Sequence, residues 1–102
     1  GTYNGVRIVS EAWIDAMTRE HTTIPNVAQR YGYLWWLDNT KDPKLPSTKL
    51  WWAQGNGGTF LIVLPELRAV IAITGTRFNR PDGLEPMFWL RDRLLPAMKA
   101  PQ

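Results

Sequence analysis

Two nearly continuous apolar runs, Thr59 to Leu64 (TFLIVL) and Ala69 to Gly75 (AVIAITG), are separated by only four residues, Pro65-Glu66-Leu67-Arg68. Both are rich in β-branched residues and read as strands. A four-residue connection cannot supply the crossover that parallel neighbours require, so the pair is antiparallel. Runs that are apolar at every position, rather than at every second one, are the pattern of strands buried on both faces. The pair therefore asks for cover on each side, and helices are the natural candidates.

Two segments carry a helical pattern. Ser10 is a good N-cap, Glu11 and Asp15 lie where the positive end of the helix dipole favours carboxylates, and Arg19 and His21 lie near the negative end. Trp13, Ala16 and Met17 form the expected apolar stripe of this first helix. From Leu84 to Lys99, Met87, Leu90, Leu94 and Met98 form a second stripe, widened by Phe88 and Leu95. Pro86 is tolerated in the first turn of that helix, whereas Pro96 is expected to break or bend its last turn.

The rest of the chain is strand and loop. Asn4-Gly5 is a type I′ turn signal in a short extended start, and Pro25-Asn26 marks a loop. Tyr31 to Leu37 (YGYLWWL) is expected as one short aromatic strand, and Asp38 to Lys49, with two prolines and no apolar period, as a surface excursion. Leu50 to Gln54 reads as a strand that Gly55-Asn56-Gly57-Gly58 interrupts. The expected architecture is α+β: a three-stranded antiparallel meander and a short aromatic strand packed with an N-terminal and a C-terminal helix, without an internal domain boundary over residues 1–102.

Composition excludes several classes. At 44% hydrophobic and 12% aromatic, with six Trp, the 102 residues hold enough apolar surface to offset the entropy of ordering. The absence of Cys rules out a disulfide scaffold and fits either side of a membrane. The net charge of +3 is too small to argue for a nucleic-acid partner. No wholly apolar run exceeds the five residues of Phe60 to Leu64, too few to span a bilayer. Nor is there a metal site or cofactor motif in a chain with one His, no Cys and no acidic cluster at ligand spacing.

Catalytic groups are correspondingly sparse. His21 is read as a residue bonding the last carbonyls of the first helix. Ser10 is occupied as a cap, Ser47 lies in a polar loop, and neither has Lys three residues on, so no nucleophile is assigned. Asp38 and Glu66 lie in turns, where acidic residues serve solubility. Two features remain. The Gly55–Gly58 run follows a strand directly, which fits either a bulged hairpin turn or close approach of backbone to a ligand. The adjacent pairs Trp35-Trp36 and Trp51-Trp52 each send one side chain to either face of a strand. Exposed rings would suit a substrate wall or a sugar-binding platform, and buried ones a core.

Taken in order, these segments resemble the C-terminal region of the serine β-lactamase-like hydrolases, which include class C β-lactamases, penicillin-binding-protein-like peptidases and related esterases. Asn4-Gly5-Val6-Arg7-Ile8-Val9-Ser10 with Trp13, Met17 and Thr18 is similar to the start of a helix in that family, and Tyr31-Gly32-Tyr33-Leu34-Trp35-Trp36 to its YGYxWW strand. Ala53-Gln54-Gly55-Asn56-Gly57-Gly58, with Val63-Leu64-Pro65-Glu66-Leu67 and Ala69 to Thr74, resembles the third active-site motif, the following hairpin and the last strand. Leu94-Leu95-Pro96-Ala97 resembles the closing helix. The order and spacing of these pieces carry the likeness, over nearly the whole chain.

The resemblance implies a five-stranded antiparallel sheet covered by helices on both faces, and acyl transfer by a Ser activated by Lys and Tyr. Those three residues belong to upstream motifs absent here, so the chain is expected to be inactive alone and to belong to a longer, extracytoplasmic bacterial protein; its opening on Gly1 suits a processed product or a part. The implied oxyanion and substrate-binding residues are Ala53, Gln54, Gly55, Asn56 and Gly57 on an edge strand, with Trp51 and Trp52 as a substrate wall. Ala53 stands where the family has a cation, which points to a less anionic ester or amide than a β-lactam. Partners implied are that small-molecule substrate, and either the missing N-terminal region or a second copy paired along Ala69 to Gly75. A Trp-rich binding or structural module without catalysis is the alternative.

Overall fold

The computed structural model describes residues 1–27, 29–38 and 49–98. The fold is α+β. Its strands are β1 (Thr2–Tyr3), β2 (Val6–Arg7), β3 (Arg30–Tyr31), β4 (Trp36–Asp38), β5 (Leu50–Gly55), β6 (Thr59–Leu64) and β7 (Ala69–Ile73). β1 and β2 make a two-stranded ribbon, and the other five form an antiparallel sheet in the order β3-β4-β5-β6-β7. The helical segments are α1 (Glu11–Met17), two 3₁₀ turns (Pro65–Leu67 and Pro81–Leu84), α2 (Glu85–Trp89), a π-helical turn (Leu90–Leu94) and α3 (Leu95–Ala97). The chain divides into two compact units, Gly1–Leu37 and Asp38–Gln102.

In the first unit, Asn4 and Gly5 both take positive φ, as a type I′ turn requires, and join β1 to β2 in the register Thr2↔Arg7 and Tyr3↔Val6. The Ser10 hydroxyl accepts the Trp13 N–H at 3.1 Å, capping α1. The buried side of α1 differs from expectation: Ile14, Ala16, Met17 and Thr18 are half-buried, while Trp13 is 53% exposed. Trp13 instead stacks on Tyr33, with ring centroids 5.7 Å apart.

The YGYLWWL segment is a hairpin rather than one strand. β3 and β4 pair as Arg30↔Leu37 and Tyr31↔Trp36, and the Gly32 N–H closes the turn on the Trp35 carbonyl at 2.8 Å, with Leu34 at φ 62°. The reason lies in the end of α1. The Tyr33 N–H donates to the Met17 carbonyl at 3.0 Å, and a Cβ on Gly32 would stand 2.2 Å from that same oxygen. Only a glycine lets the turn approach so closely, and a strand running straight through could not. His21 bonds the helix end as expected. Its Nε2 donates to the Ala16 carbonyl at 2.5 Å, and its ring lies parallel to Tyr33 at 3.9 Å.

The second unit is built on β5-β6-β7, in the registers Trp52↔Ile62, Gln54↔Phe60, Ile62↔Ile71 and Phe60↔Ile73. The turn between β6 and β7 is a 3₁₀ turn that Pro65 opens and Arg68 ends at φ 52°, with Leu67 buried. Two-sided burial of these strands does not hold. β6 alternates: Phe60, Ile62 and Leu64 are buried, whereas Leu61 is 42% exposed and Val63 is intermediate. β7 alternates likewise, with Val70 66% exposed. The strand period of two allows one face into a core, and the apolar residues on the other face follow strand preference rather than burial.

The core of this unit is Trp52, Phe60, Ile62, Leu64, Leu67, Leu90 and Leu95. The C-terminal helix is shorter and less regular than its apolar stripe suggests. Pro86 falls in the first turn of α2, as expected, and Met98 leaves the helix in extended conformation after Pro96. The ring of Pro96 would collide with the carbonyl of Asp92 in a regular helix. Instead the Leu95 N–H reaches back to Leu90, five residues earlier, in the wider π turn. The added residue rotates the stripe, so that Leu90 and Leu95 are buried and Leu94 only half so. Residues 39–48 of the surface excursion and residue 99 of the expected helix lie outside the described residues.

Candidate functional site

The residues singled out from the sequence lie along β5 and the turn that follows it. Alternation divides them. Trp51, Ala53 and Gly55 share one face with Val63, Leu61 and Thr59, which stand opposite them on β6. Trp52 and Gln54 lie on the other face. Trp52 is 6% exposed and belongs to the core, and its Nε1–H donates to Gln54 Oε1 at 3.0 Å. Trp52 is therefore no part of a substrate wall, because a ring packed in the core has no face left for a ligand. Trp51, half-buried on the opposite face, is the one member of the pair that can serve. β5 is also not at the edge of the strand order, since β4 and β6 flank it.

The glycine run is a hairpin turn between β5 and β6, and a second segment crosses it. Gly57 and Gly58 are buried with φ of 97° and 85°. The Arg77 N–H donates to the Gly57 carbonyl at 2.9 Å. A Cβ on Gly75 would stand 2.3 Å from the Gly57 oxygen, and one on Gly57 would stand 2.8 Å from the Phe78 ring. These glycines let two backbones cross nearly in contact. Gly55 is different: a Cβ there would meet nothing nearer than Thr59 Cβ at 3.9 Å.

Asn56 fastens the crossing. Its Nδ2 donates to Asn79 Oδ1 at 2.9 Å, and its Oδ1 accepts the Asn79 N–H at 2.9 Å. Asn79 takes φ 56°, a conformation asparagine tolerates better than most residues. Beyond it, Arg77 pairs with Glu85 and approaches Asp82 at 3.7 Å, and Arg80 binds Asp82 through Nε and Nη2, both at 3.0 Å. The bond from Arg80 holds the Asp82 carboxyl below its ordinary pKa, with the charges of Arg80 and Arg77 adding to the effect. The two arginines and two carboxylates balance, so this segment presents no net charge to a ligand.

The sequence did not show that Gly75, Arg77 and Asn79 belong with Asn56. Asn79-Arg80-Pro81-Asp82-Gly83 is legible as a turn, but nothing local indicates which segment a turn will meet. The arrangement can hold the backbone of the Gly55–Gly58 turn rigidly beside an apolar face that carries Trp51 and Ala53. Among the described residues, no group of three His, Cys, Asp or Glu could hold a metal ion, and no helix is long and apolar enough to cross a membrane. Aromatic contacts among the described residues include Trp13–Tyr33, His21–Tyr33 and Tyr31–Trp36. No family model, curated protein or solved structure matches the chain.

Proposed function

We propose that the chain is the C-terminal part of a serine β-lactamase-like hydrolase that acts on an ester or amide through an acyl-enzyme. Its share of the site is the substrate-side strand β5 and the Gly55–Gly58 turn. The Ser nucleophile and its Lys and Tyr partners lie upstream, and the chain is inactive alone. The observation that carries this reading is the order and spacing of the family-like segments, with a glycine-rich turn directly after the strand that bears the third motif.

In this reading the side chain of Asn56 is not the catalytic element. Its two bonds to Asn79 hold the turn, and the backbone N–H of Asn56 is the oxyanion donor, which works best when it needs no reorganisation as charge develops. Gln54 is held by Trp52 and faces away from Trp51 and Ala53, so it orients the strand rather than the substrate. Ala53 supplies no charge for a substrate carboxylate. Together with Trp51 it favours an uncharged acyl or alcohol group of apolar character.

Two measurements test the proposal. The purified chain is incubated with p-nitrophenyl butyrate, nitrocefin and a fluorophosphonate probe; background hydrolysis and no labelling are expected, and steady turnover would overturn the claim of inactivity. The coding sequence upstream of the Gly1 codon is then read for Ser-x-x-Lys and Tyr-x-Asn motifs. An upstream open frame containing neither would overturn the family assignment.

A further inference from the structure

We propose that Asn56-Gly57 is a latent site of self-modification, held back from deamidation by its bonds to Asn79, while Asn4-Gly5, the same dipeptide without such bonds, deamidates in the folded chain. The proposal stands independently of the hydrolase reading. The sequence contains two Asn-Gly steps, at 4–5 and 56–57. Glycine after asparagine makes the reaction feasible, because no side chain on the second residue hinders the approach of its backbone nitrogen. Both asparagines are exposed, so access to water does not distinguish them.

The step needs no reagent other than water and its hydroxide. The backbone nitrogen of the glycine gives up its proton to hydroxide and attacks Cγ of the asparagine. The N–Cγ bond forms, the Cγ–Nδ2 bond breaks, and the side-chain nitrogen takes a proton from water and leaves as ammonia. One water then opens the cyclic imide at either carbonyl, giving aspartate or isoaspartate, and nothing is oxidised or reduced. The ring closes only if the carboxamide turns toward the next backbone nitrogen. Whatever fixes either of those groups therefore sets the rate.

At Asn56 both are fixed. Its Oδ1 accepts the Asn79 N–H and its Nδ2 donates to Asn79 Oδ1, both at 2.9 Å, so both polar atoms of the carboxamide are engaged. Gly57 is buried, and its carbonyl accepts the Arg77 N–H at 2.9 Å. Two ordinary hydrogen bonds that must open first slow the step about fivefold to about 150-fold. Asn4 has no such restraint: among the described residues nothing hydrogen-bonds its side chain. The ribbon that carries it pairs only Thr2↔Arg7 and Tyr3↔Val6, all of them exposed. A ribbon of that size is marginal in water, so its turn opens at little cost. The consequences differ as well. Isoaspartate at position 56 would lengthen the main chain by one carbon beside a crossing so close that a Cβ on Gly75 would stand 2.3 Å from the Gly57 oxygen. Reaction there separates the two segments, whereas at Asn4 it alters only an exposed turn.

The test holds the purified chain at mildly alkaline pH, folded and in guanidinium chloride, and follows the aspartyl and isoaspartyl fractions at each asparagine by peptide-mapping mass spectrometry. In denaturant both sites are expected to react. On folding, Asn56 should slow at least about fivefold, and Asn4 by less than that. Asn79→Gly removes the Oδ1 acceptor, while glycine takes the φ of 56° without strain. It should speed Asn56 in the folded chain about twofold to about tenfold and leave Asn4 unchanged. Far-UV circular dichroism verifies that the variant folds; if it does not, the folded-to-denatured ratios of the unsubstituted chain decide alone. Equal folded and denatured rates at Asn56 would overturn the proposal, as would an Asn56 inert in denaturant. So would an Asn4 as strongly protected as Asn56, or a folded Asn79→Gly variant in which Asn56 reacts no faster.

Discussion

Three glycines near the candidate site differ in what surrounds them, and one substitution to alanine separates their roles. At Gly75 an added Cβ would lie 2.3 Å from the Gly57 oxygen and 2.9 Å from the Gly58 oxygen. Both obstacles are backbone, so the crossing segments must separate. Strain from overfilling costs about 1–3 kcal/mol. Separation also weakens the Arg77–Gly57 hydrogen bond and the Asn56–Asn79 pair, each worth about 0.5–1.5 kcal/mol. A total near 3 kcal/mol follows for Gly75→Ala. At Gly55 the same methyl meets only Thr59 Cβ at 3.9 Å, in a strand without positive φ. Gly55→Ala should therefore stabilise by about 0.4–1 kcal/mol, through the smaller entropy of the unfolded chain. Gly57→Ala falls between: its φ of 97° is strained for an L-residue, but the obstructing Phe78 ring can swing aside. Urea unfolding followed by tryptophan fluorescence resolves the series. With slopes of about 1–3 kcal/mol per molar urea, Gly75→Ala should lower the midpoint by at least about 1 M while Gly55→Ala raises it. Equal midpoints for the two variants would refute the backbone crossing as the reason for the glycines. A Gly55→Ala variant as destabilised as Gly75→Ala would show that Gly55 is approached by a neighbour the structure does not place there.

Two further outcomes follow from the burial and charge patterns. Ile62→Ala should cost about 2–5 kcal/mol as a core cavity, whereas Leu61→Ala, one residue away on the open face, should cost under about 1 kcal/mol; comparable losses in thermal unfolding would mean the face of Leu61 is covered. Asp82 titrates below its ordinary value because of Arg80, so the stability it contributes is present above the unfolded carboxylate range and is lost as pH falls through the lowered value. Asp82→Asn should remove that segment of acid dependence in pH-resolved unfolding curves, and an unchanged acid limb would show the pair contributes nothing measurable.

Much of the fold was legible because it follows from local chemistry. The Asn4-Gly5 turn, the Ser10 cap, the break after Pro96 and the limits of β6 each depend on residues within a few positions of one another. The candidate site was legible only in part. The glycine run announced a special backbone, but whether it served a turn or a ligand depended on the segment opposite. The errors have a common form. The YGYLWWL segment became a hairpin because the end of α1 demands close approach at Gly32. The last helix changed phase because Pro96 forced a wider turn upstream of itself. Trp52, which composition could not tell from Trp51, went to the core because register placed it beside Ile62.

The sequence by itself determined the α+β class, the antiparallel pairing of β6 with β7 through a four-residue connection, and the absence of a nucleophile with Lys three residues on. Those follow from chain length, side-chain period and residue inventory, which need no partner to act. Only the tertiary structure decided which face of the sheet is buried, which tryptophan remains available, and that Asn56 is tied to Asn79 across 23 residues. A strand's two faces are equivalent until something packs on one of them, and a turn's side chains have no assigned partner until another segment arrives.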